Sequence, residues 1–504
     1  MATLESLRYV QPELVLAATA VVLFLLEALV QPQGRARRVV FPLVAIAGLA
    51  VALGALLAPA PGTVANGTMR LFAGLITIDP FATFVRGLAM TATVIAILLG
   101  LGSPSLPAER KVEYHGLLVL MALGMCLLAT SSHLLMIYVA LESVSLVSYM
   151  LAGFDDRAGR SPEAGLKYVL FGGVASGVML FGFSILYGLF GDLSLTGIGQ
   201  AMLQPAGIMA SSAGKWAALL ALVFVLAGFG FKIAAAPFHM WCPDVYEGAP
   251  TPFAALLSVG PKAAGFAVLL RFGVGLWPSL GGATVTVGSA VPWLLLLGVM
   301  STLTMTVGNL SAIWQDNLKR LLAYSSIAHA GYMLMGVVAG GSQGLGAVAL
   351  YLAVYLIMNI GAFAVVSAVD RSAGSEDISV FRGLGRRSPV LALAMAVFLV
   401  SLTGLPPTAG FVGKLYLFAA LVKAGGAWYW TLAVIGVLNS VVSLFFYARV
   451  LRAMYFESAD GEQPAIRLAT PAGAIAVVLA VPTLALGIFW QPLASLATWS
   501  GSLF

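Results

Sequence analysis

Apolar runs long enough to cross a bilayer, about 18 residues or more, recur along the chain with short polar breaks between them. The pattern predicts fourteen spans: 12–30, 39–58, 79–101, 115–131, 133–153, 163–190, 215–240, 251–277, 288–313, 318–339, 344–369, 388–424, 427–456 and 468–491. The stretch 115–153 is too long for one crossing and holds a polar hinge, Thr130-Ser131-Ser132-His133. It therefore reads as two antiparallel helices joined by a tight turn. The stretch 388–424 is about two-fold longer than one crossing needs, as expected of a tilted or interrupted helix. The fold class implied is an all-α membrane protein of about 14 transmembrane helices in one polytopic domain, 1–504. Within it the expectation is three N-terminal helices in 1–110, five helices in 111–280, five more in 281–457 and a C-terminal helix in 458–504.

The basic residues in the breaks give an orientation. Of 26 Lys and Arg residues, sixteen fall in odd-numbered connections, among them Arg35, Arg37, Arg38, Arg160, Lys319, Arg320 and Arg382. Only four, Arg8, Arg70, Lys215 and Lys423, fall in even connections or the N-terminal segment. By the positive-inside rule the odd loops are cytoplasmic and both termini face outward, in a bacterial plasma (inner) membrane. The first residues, Met1-Ala2-Thr3-Leu4-Glu5, lack a basic leader, so an uncleaved first helix is expected.

Composition narrows the class further. The chain is 60% hydrophobic and 9% charged, whereas soluble domains carry roughly 25% charged residues. Its net charge of +6 follows from the loop asymmetry and is no nucleic-acid footprint. Cys126 and Cys242 are far apart in apolar surroundings and read as inert buried thiols. The four histidines, His115, His133, His239 and His329, have no ligand spacing. Without a Gly-rich nucleotide loop or a Cys cluster, no cofactor is expected in this chain.

Six basic residues lie inside predicted spans: Arg86, Lys167, Lys232, Lys262, Arg271 and Lys414. A charge at the bilayer centre costs at least about 2.5–3.5 kcal/mol, so such residues face a protein interior and often mark ion paths. Glu142 lies roughly 12 Å into its span, with Ser145 and Tyr149 on the same helical face. Lys262 lies roughly 16 Å into its span, between Ser258 and Gly265. Lys232 precedes Pro237, and Lys414 follows Pro406-Pro407 and Gly410, so each sits in a proline-broken stretch. Broken helices that carry an ionisable group are a common way to build a midplane ion site.

Each residue also has a plainer reading. Arg86 and Arg271 could snorkel, and Lys167 could form an ion pair with Glu163 four residues earlier. His239 and His329 could be satisfied core or helix-end histidines, or relay links, since imidazole titrates near neutrality. Glu142, Lys232, Lys262 and Lys414 could form one static salt-bridge network. One glutamate cannot neutralise three lysines, however, which leaves at least one lysine able to exchange its proton as a relay needs.

The second and third groups of helices suggest a duplication. Spans 4–8 and 9–13 are two sets of five, and an odd-numbered unit repeated in tandem inserts upside-down the second time, giving two inverted five-helix repeats. A broken, lysine-bearing helix is fourth in each set, spans 7 and 12.

Several segments resemble the antiporter-like membrane subunits of respiratory complex I, and among them subunit N of bacterial NADH–quinone oxidoreductase. They are Leu141-Glu142-Ser143-Val144-Ser145-Leu146 with Tyr149, Glu163–Tyr168, Phe231–Trp241 followed by Pro243–Pro252, Gln315–Gly336, and Gly404–Lys414. The resemblance covers about residues 80–455. It implies that Glu142 and Lys232 are a coupled pair, Lys262 a central proton carrier and Lys414 the carrier toward the outer half-channel. Lys167 matches a further lysine of that subunit. A lysine at 414 and the absence of a long C-terminal lateral helix favour subunit N. It further implies proton pumping driven by NADH oxidation and quinone reduction in partner membrane-arm and redox subunits, which would hold the FMN, iron–sulfur clusters and quinone. Two rival expectations are a subunit of a multi-subunit cation/proton antiporter or membrane-bound hydrogenase, and a purely structural spacer.

Overall fold

In hydrocarbon a backbone N–H or C=O has no water to bond, so the apolar runs close their own hydrogen bonds as helices. The computed structural model describes residues 6–30, 35–58, 67–107, 110–204, 207–276, 293–458, 466 and 468–501. Its helices are α1 (Gln11–Val30), α2 (Arg35–Leu57), α3 (Pro80–Gly100), α4 (Lys111–Thr130), α5 (Leu134–Ala152) and α6 (Arg160–Phe190). They continue as α7 (Leu195–Met202), α8 (Ser212–Ile233), α9 (Trp241–Gly248), α10 (Thr251–Leu276), α11 (Trp293–Ala312) and α12 (Leu318–Ala339). The last are α13 (Gly341–Ala373), α14 (Pro389–Thr403), α15 (Ala409–Ala424), α16 (Ala427–Phe456), α17 (Pro471–Ile488) and α18 (Gln491–Gly501).

Among the described residues, 13 helical stretches are long and apolar enough to cross a membrane. The predicted span 388–424 is instead two shorter helices, α14 and α15, and helix 215–240 stops at Ile233 before α9 begins at Trp241. Trp277 and residues 288–292, at the edges of two predicted spans, lie outside the described residues. The apolar pattern did not anticipate the hairpin of β1 (Met69–Leu71) and β2 (Ile76–Ile78), paired antiparallel with Met69 opposite Ile78. Nor did it anticipate α7 and α18, which are too short to register as crossings.

Local chemistry fixes the helix ends. Asp79 caps α3 by accepting from Ala82 N, Ser211 caps α8, and Asn317 caps α12, each satisfying an orphan amide. The hinge at 130–133 folds as expected, with His133 accepting from Leu135 N at the start of α5. Ala234 ends α8 at φ 56, a left-handed conformation that a Cβ makes costly. Gly404 ends α14 at φ 88, where the missing Cβ removes that cost.

Burial sorts the helices into an interior and a rim. The apolar stretch of α10 is wholly buried, and those of α12 and α13 are 94% and 89% buried. Those of α2, α6, α16 and α17 are only 28–39% buried and turn apolar side chains such as Val174 and Val441 outward. Helix α13 packs against α3, α10, α12, α14, α15, α17 and α18. Helix α10 packs against α3, α4, α8, α12 and α13. A helix apolar all round and enclosed in this way belongs to the core of a bundle. Lys232, Lys262 and Lys414, which the sequence singled out inside apolar spans, lie in or against these inner helices.

Candidate functional site

The first lysine sits where α8 ends. Lys232 is 1% exposed, and its Nζ donates to Ser145 Oγ of α5 at 3.0 Å. Because α8 stops one residue later, its last carbonyls need other partners. Trp241 Nε1 donates to Phe231 O at 3.1 Å and Ala235 N to Gly230 O at 2.7 Å, while past the helix end Ala236 N donates to Thr304 Oγ1 at 2.9 Å. Glu142 stands one helical turn before Ser145 but makes no ion pair with Lys232. Its Oε1 is buried with no hydrogen-bond partner among the described residues. The pair implied by the resemblance is thus not in direct contact, and Lys232 bonds a serine hydroxyl instead. Tyr149, on the same face, is accommodated by Gly172, where an added Cβ would stand 1.8 Å from the tyrosine oxygen.

Lys262 follows directly inward. The flank of Gly265, three residues beyond Lys262 on α10, lies against Lys232: a Cβ there would be 3.4 Å from Lys232 Cγ. Lys262 Nζ donates to Ser326 Oγ at 2.5 Å and to Ser326 O at 3.0 Å. Its ammonium also lies 5.9 Å from the centre of the Tyr246 ring. Lys414 begins the other end. Its Nζ donates to Thr403 O at 2.8 Å and Ser440 Oγ at 3.0 Å, and lies 4.5 Å from the centre of the Tyr332 ring. Thr403 is the last residue of α14, so Lys414 takes up a carbonyl that the helix end releases. The chain passes from α14 to α15 so closely that a Cβ on Gly410 would fall 1.8 Å from Ser401 O.

Helix α12 joins these two ends. Ser326, His329 and Tyr332 are spaced three apart on one face, so the contacts of Lys262 and Lys414 are separated by roughly 9 Å along the helix. His329 occupies the gap, 2% exposed. Its Nδ1 lies 2.6 Å from Tyr351 Oη and its Nε2 3.4 Å from Tyr447 Oη. Tyr447 Oη in turn lies 2.5 Å from Ser325 Oγ. Imidazole can accept a proton at one nitrogen and release one from the other, which hydroxyl-capped lysines on either side can use. No ion pair involving Lys232, Lys262 or Lys414 is present among the described residues, so the arrangement is a row of separate lysines with hydroxyl, carbonyl and ring partners. The ring faces help hold the charge without pairing it.

The remaining sequence-selected residues lie elsewhere. Lys167 is not on this row: it pairs with Glu163 and Asp244, each at 2.8 Å, on an open face. His239 sits half-buried in the bend between α8 and α9, with Nδ1 buried and lacking a partner among the described residues. Arg86 and Arg271 are each paired with a buried carboxylate. Arg86 meets Glu13 at 2.6 Å with both side chains at most 7% exposed, and Arg271 meets Asp79 at 2.6 Å. Removing either arginine would leave a buried carboxylate unpaired, which is costly. Cys126 and Cys242 are free and buried.

The sequence reading missed the tyrosines and amides that surround the row. Tyr332, Tyr351 and Tyr447 count as hydrophobic in any apolar-run search, yet each presents a hydroxyl to it. Asn359, in the middle of the apolar α13, donates to Ser258 Oγ at 2.6 Å. Asn309 donates to Tyr332 Oη at 3.3 Å and to Asn439 Oδ1 at 3.2 Å. An amide inside a long apolar run was a readable signal, since it needs a partner there. No group of three or more His, Cys, Asp or Glu residues able to hold a metal occurs among the described residues.

Known proteins share the sequence and the fold of this chain. The protein family described as "NADH:quinone oxidoreductase/Mrp antiporter, TM" matches residues 131–443. NADH-quinone oxidoreductase subunit N 2 of Sorangium cellulosum is 48% identical, over 97% of this chain and 96% of that protein. A chain of respiratory complex I from Thermus thermophilus, solved with bound aureothin, superposes with TM-score 0.77 at 35% identity, covering 97% of this chain and 99% of the other. A chain of the Mrp complex from Dietzia sp. shares the fold, with TM-score 0.81 at 22% identity over 99% and 97% of the two chains. The chain therefore belongs to the NADH:quinone oxidoreductase/Mrp antiporter membrane-subunit family, and within it to subunit N of the NADH-quinone oxidoreductases.

Proposed function

We propose that this chain is the proton-translocating, antiporter-like subunit N of an NADH–quinone oxidoreductase, moving protons along a buried row from Lys232 through Lys262 and His329 to Lys414. The observation that carries the reading is the row itself: three enclosed lysines without carboxylate partners, joined through one face of α12. A buried ammonium held only by hydroxyls, carbonyls and a ring can exchange its proton more readily than one locked in an ion pair. Glu142, one turn from the hydroxyl that binds Lys232, is placed to bias that lysine when its own charge changes. Energy comes from redox chemistry in other subunits, so the chain's own task is to bind, hold and pass protons.

In this reading α8 with α9, and α14 with α15, are the two halves of the broken helices of spans 7 and 12. Spans 4–8 and 9–13 form the inverted repeats, and residues 1–110 and 458–504 flank them. Both termini face away from the cytoplasm of a bacterial cell, and the partners are the neighbouring membrane-arm subunits. The excess of Lys and Arg in the odd-numbered connections supports that orientation. The test is to introduce Lys232→Ala and Lys262→Ala into the whole complex and measure protons pumped per NADH oxidised in membrane vesicles. Pumping should fall sharply in complexes that still assemble. Full pumping by both variants would replace this reading with that of a structural spacer.

A further inference from the structure

The helix between Lys232 and Lys262, α9, is tied at one side to both lysines and at the other to a surface cluster of charge. Trp241 at its start donates to the carbonyl of Phe231, next to Lys232. Its indole stacks on Tyr168 of α6 with ring centres 4.3 Å apart. Tyr246, farther along, places its ring beside the Lys262 ammonium. Cys242 between them is fully buried. The opposite face of α9 carries Asp244 and Glu247. Lys167 of α6 meets Asp244 at 2.8 Å and Glu163 at 2.8 Å. Arg320 of α12 meets Asp244 at 2.6 Å and Glu247 at 2.9 Å, and Arg160 meets Glu247 at 3.6 Å. These residues border a polar cavity of about 190 Å³. The end of α9 is pressed on α6, for a Cβ at Gly248 would stand 2.5 Å from Arg160 O.

We propose that Lys167 is a positioning residue and no proton carrier: with Arg320 it clamps α9 between α6 and α12, and so sets Trp241 against Lys232 and Tyr246 against Lys262. Three features support a clamp over a relay. Lys167 lies between two carboxylates, an arrangement that holds its proton in place. It shares Asp244 with an arginine, which does not deprotonate in proteins. Its contacts lead to α9 and to no member of the lysine row. Because α12 also carries Ser326, the acceptor of Lys262, one cluster fixes both walls of the central carrier's site. The inference rests on the proposed role of Lys232 and Lys262 as carriers.

Arginine discriminates between the two roles, since it can hold two carboxylates but cannot give up its proton. The whole complex is made with Lys167→Gln, Lys167→Arg and, separately, Lys262→Arg, and protons pumped per NADH are measured in vesicles. A second readout is the rate at which N-ethylmaleimide modifies Cys242 in a Cys126→Ala background. The clamp predicts that Lys167→Gln lowers the pumping ratio and speeds Cys242 labelling several-fold, on the order of tenfold if α9 opens locally by about 1.4 kcal/mol. Lys167→Arg restores both to near the parent values. If Lys167→Gln prevents assembly while Lys167→Arg assembles and pumps, the clamp is equally supported. An assembled Lys167→Arg complex that pumps as poorly as Lys167→Gln overturns the proposal, as does Lys167→Gln with unchanged Cys242 labelling. Normal pumping by Lys262→Arg would instead overturn the carrier role of Lys262, whatever the Lys167 variants do.

Discussion

Gly410→Ala adds one methyl group and changes no charge, yet the structure says it should disable Lys414, four residues further along α15. The new Cβ would lie 1.8 Å from Ser401 O, 2.7 Å from Ser401 C and 2.8 Å from Ser401 Oγ. Both sides of this contact are held by helix backbone, since Gly410 opens α15 and Ser401 is in the last turn of α14. Neither can swing away as a flexible side chain would. Relief requires the two helices to separate by on the order of 1 Å, an overpacking strain of roughly 1–3 kcal/mol. Lys414 reaches from α15 to Thr403 O on α14 at 2.8 Å, so the same separation would stretch that hydrogen bond to about 4 Å, beyond useful range. Gly410 N would also lose Ser401 Oγ, now 3.0 Å away. A displacement of this size at a transfer site is enough to cost on the order of tenfold or more in rate. The assay is protons pumped per NADH in vesicles, normalised to assembled complex. Gly177→Ala is the matched control, because nothing lies within 4 Å of its added Cβ. An assembled Gly410→Ala complex that pumps like Gly177→Ala would refute both the steric argument and the dependence of Lys414 on the α14 end.

His329→Gln keeps a side chain able to hydrogen-bond Tyr351 but removes a titrating group, so pumping should fall by about 10²-fold if the imidazole transfers protons; an unchanged proton-to-NADH ratio would remove His329 from the row. Arg86→Leu should strand Glu13 in the core and destabilise the subunit by about 3–5 kcal/mol, whereas Arg86→Leu with Glu13→Leu should recover most of that. Thermal unfolding of the detergent-purified complex measures the difference, and equal stability of the single and double variants would contradict it. Ser326→Ala takes away one of two acceptors of Lys262 and leaves the Ser326 carbonyl, so it should slow pumping less than Lys262→Ala does in the same vesicle assay.

What could be read from the sequence was whatever hydrocarbon makes costly. Lys232, Lys262 and Lys414 stood out because an ammonium in an apolar run demands enclosure, and all three are enclosed. Proline and glycine beside Lys232 and Lys414 marked the ends of α8 and α14 for a similar reason, the release of backbone carbonyls. Partners were a different matter. Glu13 and Asp79 lie 73 and 192 residues from the arginines they pair with, a separation no local pattern can bridge, so Arg86 and Arg271 were open to the snorkelling reading. Tyrosine hides in the same way, because its ring satisfies the apolar run and only the fold shows where its hydroxyl ends up. The result bears on how such a row works. Sequence locates the charges because they are expensive, whereas the groups that surround them are inexpensive hydroxyls and rings spread over α5, α12, α13 and α16. Their placement depends on how closely the inner helices approach, which is why a methyl group on Gly410 and an amide at position 167 should act on pumping without touching a carrier.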